Sequence, residues 1–361
     1  MKLKLLEFIS NNKDWEELLS NKPYCIKITR YDDFIMFKYN QIESDFNLEI
    51  VRECRGIILD SNFIPVCVPF FKFGNLGESY CPELDFSKCR VQEKIDGSII
   101  KVWNYKGQWK ISTNGTIDAV NAVLSCNIDG SILNFYNLFN VARFNQSLSL
   151  ESLNKQYTYM FELVGPYNRC VIPYQENKIY HIGTRDNITL QEINVDIGIS
   201  KPKEYNFNSI EDCIEMTKNM TFREEGYVVV DEKFNRVKIK SPAYVAAHHL
   251  YNNGVVTKER ILELIRINEE VEFLTYYPEY TIHFNKIKED VDKFIAYYDN
   301  IYYDLQNNFF FDNKKEFANH ILKNHKCTAV LFALYDKKYK NTKEWLDSQS
   351  NEKTINYIGG L

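Results

Sequence analysis

Between Cys25 and about Ser241 the apolar residues come in short β-rich runs broken by turn chemistry, and from about Pro242 onward they recur at helical spacing. Asp32-Asp33 separates the runs Cys25 to Thr29 and Phe34 to Tyr39, and Lys106-Gly107 separates Ser98 to Trp103 from Gln108 to Thr113. Both spacings predict hairpins. Gly56 to Asp60, Tyr159 to Val164 and Lys178 to Thr184 are further predicted strands, and Gly226 to Asp231 turns through Glu232 to Asn235 into Arg236 to Lys240. Adjacent hairpins imply mostly antiparallel sheets. Beyond Pro242, Ile261, Leu264, Ile265 and Val271, then Val291, Phe294, Tyr298, Ile301, Tyr302 and Leu305, fall at three- and four-residue steps. A third such stretch carries Phe317, Ile321 and Leu322 before Ala329 to Tyr335, so the tail is expected to be a helical bundle. The pattern predicts an α+β chain with a mixed domain over 1–245 and an all-helical domain over 246–361, consistent with 361 residues at about 150 per domain.

Composition narrows the class without naming a function. Hydrophobic residues make up 45% and charged residues 26%, ordinary globular usage that excludes a disordered chain. No apolar run approaches the roughly 20 residues of a bilayer-spanning helix. Lys2, Lys4 and Glu7 interrupt the first ten residues before a signal-peptide core forms, so the expected location is cytoplasmic, with no membrane partner. Net charge is -5, so a nucleic-acid partner would have to be held by a local basic surface. The tail offers one candidate, Lys323, Lys326, Lys337, Lys338, Lys340 and Lys343 around Tyr339, which a solvated helix face explains equally well. Nine scattered cysteines, none at metal-knuckle spacing, are expected to be free thiols.

The chemistry is concentrated in Glu93-Lys94-Ile95-Asp96-Gly97-Ser98, which presents a lysine at a strand end beside a carboxylate and a glycine. A lysine is a poor nucleophile while protonated near its usual pKa of about 10.4, so neighbouring cations or a metal must make the charged form costly. Lys238 and Lys240, two apart on a strand, project from one face, and Arg55, Lys72 and Arg169 sit in segments of constrained geometry. Glu162 and Glu225 supply carboxylates. Singly, each has an ordinary explanation as turn chemistry or a solvated strand. The ordered set does not: Arg55-Gly56, Lys94-Ile95-Asp96-Gly97, Glu162, Glu225-Gly226, then Lys238-Ile239-Lys240.

That order resembles the motif ladder of the covalent nucleotidyltransferases, which include DNA ligases, RNA ligases and mRNA-capping guanylyltransferases. Within it the chain resembles the phage-type RNA ligase 1 family, ATP-dependent ligases that repair broken tRNA. The matching segments, from about residue 20 to about 250, include Glu53-Cys54-Arg55-Gly56-Ile57, Lys72-Phe73-Gly74-Asn75, Lys94-Ile95-Asp96-Gly97-Ser98, Phe161-Glu162-Leu163-Val164-Gly165-Pro166 with Asn168-Arg169, Glu225-Gly226-Tyr227-Val228, and Lys238-Ile239-Lys240-Ser241 with Tyr244. Ser98 favours the RNA branch, because DNA ligases and capping enzymes usually carry arginine there. Asn114 departs from the family pattern, standing where a lysine is common.

The resemblance implies a two-lobed nucleotidyltransferase domain with flanking helices and a tail that serves as an RNA-specificity module. It implies that Lys94 takes AMP from ATP and passes it to an RNA 5′-phosphate for sealing by a 3′-hydroxyl. A divalent cation, Mg²⁺ or Mn²⁺, would be held by Glu225 and Glu162. Lys238 and Lys240 would clamp the α-phosphate, with Arg55, Glu93, Lys72 and Tyr39 binding the nucleotide and its triphosphate tail. Arg169 and Tyr244 would orient RNA. An end-healing kinase and phosphatase would be natural partners. Against this stand two other expectations: a DNA ligase or guanylyltransferase using the same lysine chemistry, and an RNA-binding relative without turnover.

Overall fold

A computed structural model describes residues 2–128, 131–249, 256–311 and 313–360. It divides the chain into two compact units, Met1–Tyr251 and Asn252–Leu361.

In the first unit, helices α1 (Lys4–Asn11), α2 (Trp15–Ser20) and α3 (Glu49–Glu53) accompany an antiparallel sheet of β1 (Ile26–Tyr31), β2 (Phe34–Tyr39), β3 (Arg55–Asp60) and β4 (Pro65–Cys67) in that order. The chain continues through β5 (Arg90–Glu93), β6 (Ser98–Tyr105), β7 (Gln108–Thr113), β8 (Val123–Ile128), β9 (Ser131–Asn134), β10 (Tyr157–Val164), β11 (Lys178–Asp186), β12 (Glu192–Ile193), β13 (Glu204–Tyr205), β14 (Gly226–Val230) and β15 (Arg236–Lys240). A second sheet has the order β12-β11-β10-β6-β7, a third β13-β5-β14-β15, and β8 pairs with β9. Every ladder between these strands is antiparallel. The β6–β7 hairpin turns through Lys106 at φ 50° and Gly107 at φ 86°, the pair of positive φ values a tight two-residue turn needs.

Helices also punctuate the expected β region. Asn134 caps α4 (Phe135–Asn145) and Ser209 caps α5 (Ile210–Lys218), each accepting a first-turn N–H. Leu138, Phe139 and Ala142 of α4 pack on Ile100, Phe161 and Ile179 of the second sheet. Strand-like local composition hid these helices, since their apolar stripes are only one or two turns long. The helix that opens at Pro242, α6 (Pro242–His249), belongs to the first unit.

Glu53 shows how the motif segments also carry structure. It is 1% exposed, and its two carboxylate oxygens accept the backbone N–H groups of Lys4 and Leu5 at 2.9 Å each, capping α1 from the far end of α3. Burial pushes its carboxyl up to about 7 against those hydrogen bonds. Glu53→Ala orphans both donors and should lower the unfolding free energy by about 2–4 kcal/mol in a denaturant titration; an unchanged midpoint would refute the capping role.

The second unit holds α7 (Lys258–Arg266), α8 (Glu270–Tyr276), α9 (Thr281–Asn308), α10 (Lys314–Asn324), α11 (Thr328–Tyr335), α12 (Thr342–Asp347) and α13 (Asn351–Ile358). Ile261, Leu264, Phe294, Tyr298, Leu305, Phe317 and Ile321 are buried, as the helical periodicity expects, whereas Val271 and Leu322 are exposed; Phe284 and Trp345 join the buried set. Arg266 fastens the bundle: it donates to the carbonyls of Gln349 and Leu346 and to the side chains of Asn351 and Thr354. In the basic cluster Lys343 pairs with Asp347 at 2.6 Å and Lys326 reaches the carbonyl of Gly360 at 3.4 Å. No helix of the described residues is long and apolar enough to cross a membrane. Eight cysteines are free thiols, and the side chain of Cys126 lies outside the described set.

Candidate active site

Lys94 leaves the end of β5 with its backbone still in the third sheet, its N–H donating to Gly226 O at 2.8 Å while Glu93 N donates to Lys203 O at 2.7 Å. On the neighbouring hairpin Gly226 faces Lys240 and Val228 faces Lys238, so both lysines emerge on one side of the ladder. Gly226 sits at φ 129°, and a Cβ there would lie 2.1 Å from Ile239 O, so only glycine lets the two strands close. Glu225, immediately before it, is 4% exposed and holds Lys94 Nζ at 2.7 Å through Oε1, with Lys240 Nζ 4.0 Å from the same oxygen. Its other oxygen, Oε2, is buried without a hydrogen-bond partner.

The second sheet faces this ladder with Glu162, which pairs across β6 with Ile99. Gly74 O accepts from Lys238 N at 3.0 Å and Lys238 O accepts from Leu76 N at 2.9 Å, so the segment carrying Lys72 and Phe73 docks along β15. Together these pieces wall a cavity of about 400 Å³ whose lining includes Arg55, Phe73, Lys94, Asn114, Glu162, Arg236 and Lys238, along with Glu93, Gln92, Ile182, Pro202 and Val228. The volume suits a nucleotide-sized ligand.

Crowding sets the electrostatics. Burial pushes Lys238 down to about 7, helped by the cations of Lys72, Lys240, Lys94 and Arg55. Burial likewise pushes Glu162 up to about 8; Lys94 opposes that rise and the charge of Glu225 adds to it. The pocket therefore holds amine and carboxyl groups whose charges are costly, a cost that a phosphate beside the amines or a cation beside the carboxyls would relieve. Arg55 Nε and Asn114 Oδ1 are also buried without partners. Beneath them Lys101, unassigned from the sequence, is fully buried, donates to Gly56 O, and is pushed down to about 8 by burial.

Among the described residues no three His, Cys, Asp or Glu side chains converge as a metal cluster. A hard divalent cation that keeps waters and takes phosphate oxygens needs only one or two carboxylates, and the unpartnered Oε2 of Glu225 fits that role, with Glu162 as the second donor.

Not every expected residue joins the pocket. Tyr39 and Lys72 come together, Lys72 Nζ lying 5.3 Å from the Tyr39 ring and 4.6 Å from the Phe46 ring, yet neither lines the 400 Å³ cavity. Arg169 is exposed on the β10–β11 loop, its Nε donating to Val171 O at 3.0 Å. Tyr244 departs from its expected part in orienting RNA: it is 3% exposed and its hydroxyl donates to Asp96 Oδ1 at 2.9 Å, so this conformation leaves it no face for RNA. Burial, with the carboxylates of Glu225 and Asp96, pushes that hydroxyl well above its ordinary pKa. Its ring instead backs Lys240, 5.9 Å from Nζ.

Asp96, understood from sequence as a turn former, is the hub. Besides Tyr244 it accepts the N–H groups of Val171 at 2.9 Å and Ile172 at 2.7 Å through Oδ2, tying the β10–β11 loop and α6 to the turn that aims Lys94. Nothing local announced this, because the donors lie 75, 76 and 148 residues away.

Residues 53–244 match the RNA ligase family. The chain belongs to the phage-type RNA ligase family. It is 32% identical over 273 residues, 71% of its length, to a putative bifunctional polynucleotide kinase/RNA ligase of Autographa californica nuclear polyhedrosis virus, and this match spans 39% of that relative. It is 27% identical to the RNA ligase of Rhodothermus phage RM378, covering 67% of this chain and 69% of that one. A solved archaeal ATP-dependent RNA ligase shares 13% identity over 81% of this chain and 83% of its own, at a TM-score of 0.42, an overlap too low to bear on function.

Proposed function

We propose that this RNA ligase family member seals RNA 5′-phosphate and 3′-hydroxyl ends with ATP, through AMP carried on Lys94. The observation that carries this reading is Lys94 Nζ, 2.7 Å from Glu225 at the wall of a cavity ringed by cations. Neutral Lys94 attacks the α-phosphorus of ATP, forming a P–N bond as the P–O bond to pyrophosphate breaks, and Glu225 is the nearest acceptor for the proton it sheds. An oxygen of the RNA 5′-phosphate then displaces Lys94 from AMP. In the last step the 3′-hydroxyl displaces AMP. Each transfer gathers negative charge on phosphate oxygens, which Lys238 and Lys240 offset from the strand face while Arg55 holds ribose or phosphate. Lys72 and Tyr39 serve the triphosphate tail, and Glu93 at the strand end meets the base with the apolar walls Ile182, Pro202 and Val228. A cation such as Mg²⁺ or Mn²⁺, on Glu225 and Glu162, supplies charge neutralisation for these phosphates.

The tail, 246–361, is proposed as the RNA-specificity module, with Arg169 as a further RNA contact. Because ligation needs a 5′-phosphate and a 3′-hydroxyl, an end-healing kinase and phosphatase is the proposed partner activity inside the cell; the viral relative is itself named a kinase/ligase.

The test is intact-protein mass spectrometry after incubation with Mg²⁺ and ATP or GTP, with peptide mapping. An AMP adduct on Lys94 is the expected result. A GMP adduct moves the protein to the capping chemistry, and no adduct with either leaves a binding protein.

Proton linkage provides a second check. Lys238 near 7 and Glu162 near 8 are both raised further by a bound polyphosphate, so ATP titrated without divalent cation at pH 8 should draw up to about 1.4 protons from solution, roughly 0.9 by Lys238 and roughly 0.5 by Glu162. Uptake should vanish toward pH 6, where Lys238 is already charged and Glu162 already neutral. Calorimetry in two buffers of different ionisation enthalpy reads this directly, and proton release at pH 8 would contradict the arrangement.

A further inference from the structure

A second cavity, of about 570 Å³, shares Phe73 and Arg236 with the 400 Å³ pocket and is otherwise separate from it. Its floor is rigid. Glu192 holds Arg185 at 2.7 Å and Arg236 at 2.6 Å, and the two guanidinium groups lie 4.5 Å from the Phe71 ring and 4.1 Å from the Phe70 ring. Arg185 is 4% exposed, and its Nε has no partner. Outside that ion-paired floor, three cations, Arg52, Lys72 and Lys233, stand against two carboxylates, Glu49 and Glu232. The outer end is the β14–β15 turn, where Asp231 accepts the N–H groups of Lys233 at 2.9 Å and Asn235 at 2.8 Å. Between them Phe234 is held at φ 62°, a conformation a bulky side chain rarely adopts, with its ring lining the cavity.

Resting on the proposed ligase reading, the direction of the chemistry says what enters here. Phosphoryl displacement is in line, so pyrophosphate departs opposite Lys94. When Lys94 becomes the leaving group in the next step, the incoming oxygen must arrive from the side pyrophosphate vacated. Lys72, which serves the triphosphate tail on that reading, lines the second cavity. We infer that this cavity receives the 5′-phosphorylated end of the RNA strand, its terminal nucleotides lying among Phe71, Phe73 and Phe234 and its phosphates among Lys72, Arg52 and Lys233. Aromatic walls with interleaved cations are the surface that single-stranded RNA uses and a bare pyrophosphate does not need. The burial of Tyr244 is consistent with this, since the strand must be held elsewhere.

Lys233 is exposed at the turn and lies outside the 400 Å³ pocket, so Lys233→Glu leaves the fold intact. Phe234→Gly removes the ring while relieving the positive φ. Both full-length variants should form the AMP adduct at the wild-type rate. By fluorescence anisotropy each should bind a single-stranded 5′-phosphorylated oligoribonucleotide roughly ten-fold more weakly. Lys233→Ala should flatten the dependence of log affinity on log salt by about 0.7. Unchanged RNA binding overturns the inference. Adenylylation slowed in proportion to RNA binding also overturns it, by assigning the cavity to the triphosphate. A wild-type protein that binds RNA through this turn but forms no adduct would refute the ligase reading separately.

Discussion

Lys94→Ala should yield no nucleotide adduct after incubation with ATP and a divalent cation, and sealing of 5′-phosphorylated RNA should fall by at least about 10³-fold. The side chain is 21% exposed and is held by Glu225 at 2.7 Å, so most of the loss is chemical. Truncation leaves Glu225 buried with Lys240 at 4.0 Å as its remaining ion-pair partner, which should cost about 1–3 kcal/mol of stability. The same variant should still join RNA supplied with a 5′-adenylate, because the attacking group in that step is the 3′-hydroxyl. Retention of that activity separates loss of the nucleophile from collapse of the pocket. An adduct that persists in Lys94→Ala would place the covalent chemistry on another residue.

Asp96→Ala should be the most destabilising single change near the site, by about 3–5 kcal/mol, since it strips acceptors from Val171 N, Ile172 N and Tyr244 OH at once. Adenylylation should fall with it, as the β10–β11 loop and α6 lose their common anchor two residues from Lys94. Asp96→Asn makes the sharper comparison. Its carbonyl oxygen can accept both N–H groups while its amide donates to the Tyr244 hydroxyl, which accepts as readily as it donates. That variant should retain most stability and most adduct formation. If Asp96→Asn were as damaging as Asp96→Ala, the negative charge of Asp96, and not the geometry it enforces, would be what the site requires. Denaturant titration together with adduct yield for both variants decides the matter.

The hairpins around Lys106-Gly107 and Asp231 to Asn235 were legible because a tight turn is a local event: two to five residues with the right φ preferences and flanking alternation suffice. Lys94, Glu225, Lys238 and Lys240 are ordinary one by one and stand out only as an ordered set that resembles the nucleotidyltransferase motif ladder; the fold then brings Lys94 and Lys240 to one oxygen of Glu225 and puts Lys238 on the same strand face as Lys240. Helices α4 and α5 were not legible, because so few turns carry little periodic signal and are stabilised by what they pack against.

The sequence by itself determined the local vocabulary of this protein: the main hairpins and where they reverse, the change from strand to helical periodicity along the chain, and the ordered set of lysines and glutamates that marks the candidate site. Only the tertiary structure decided how those groups act. It buried Tyr244 on Asp96, drove Lys238 toward neutrality among four other cations, and left one oxygen of Glu225 without a protein partner. It also built a second cavity from Arg185, Glu192 and Phe234, residues that no motif connects. The reason is physical: burial, charge coupling and cavity shape depend on which distant segments meet, and a residue's identity specifies its chemistry but not its neighbours.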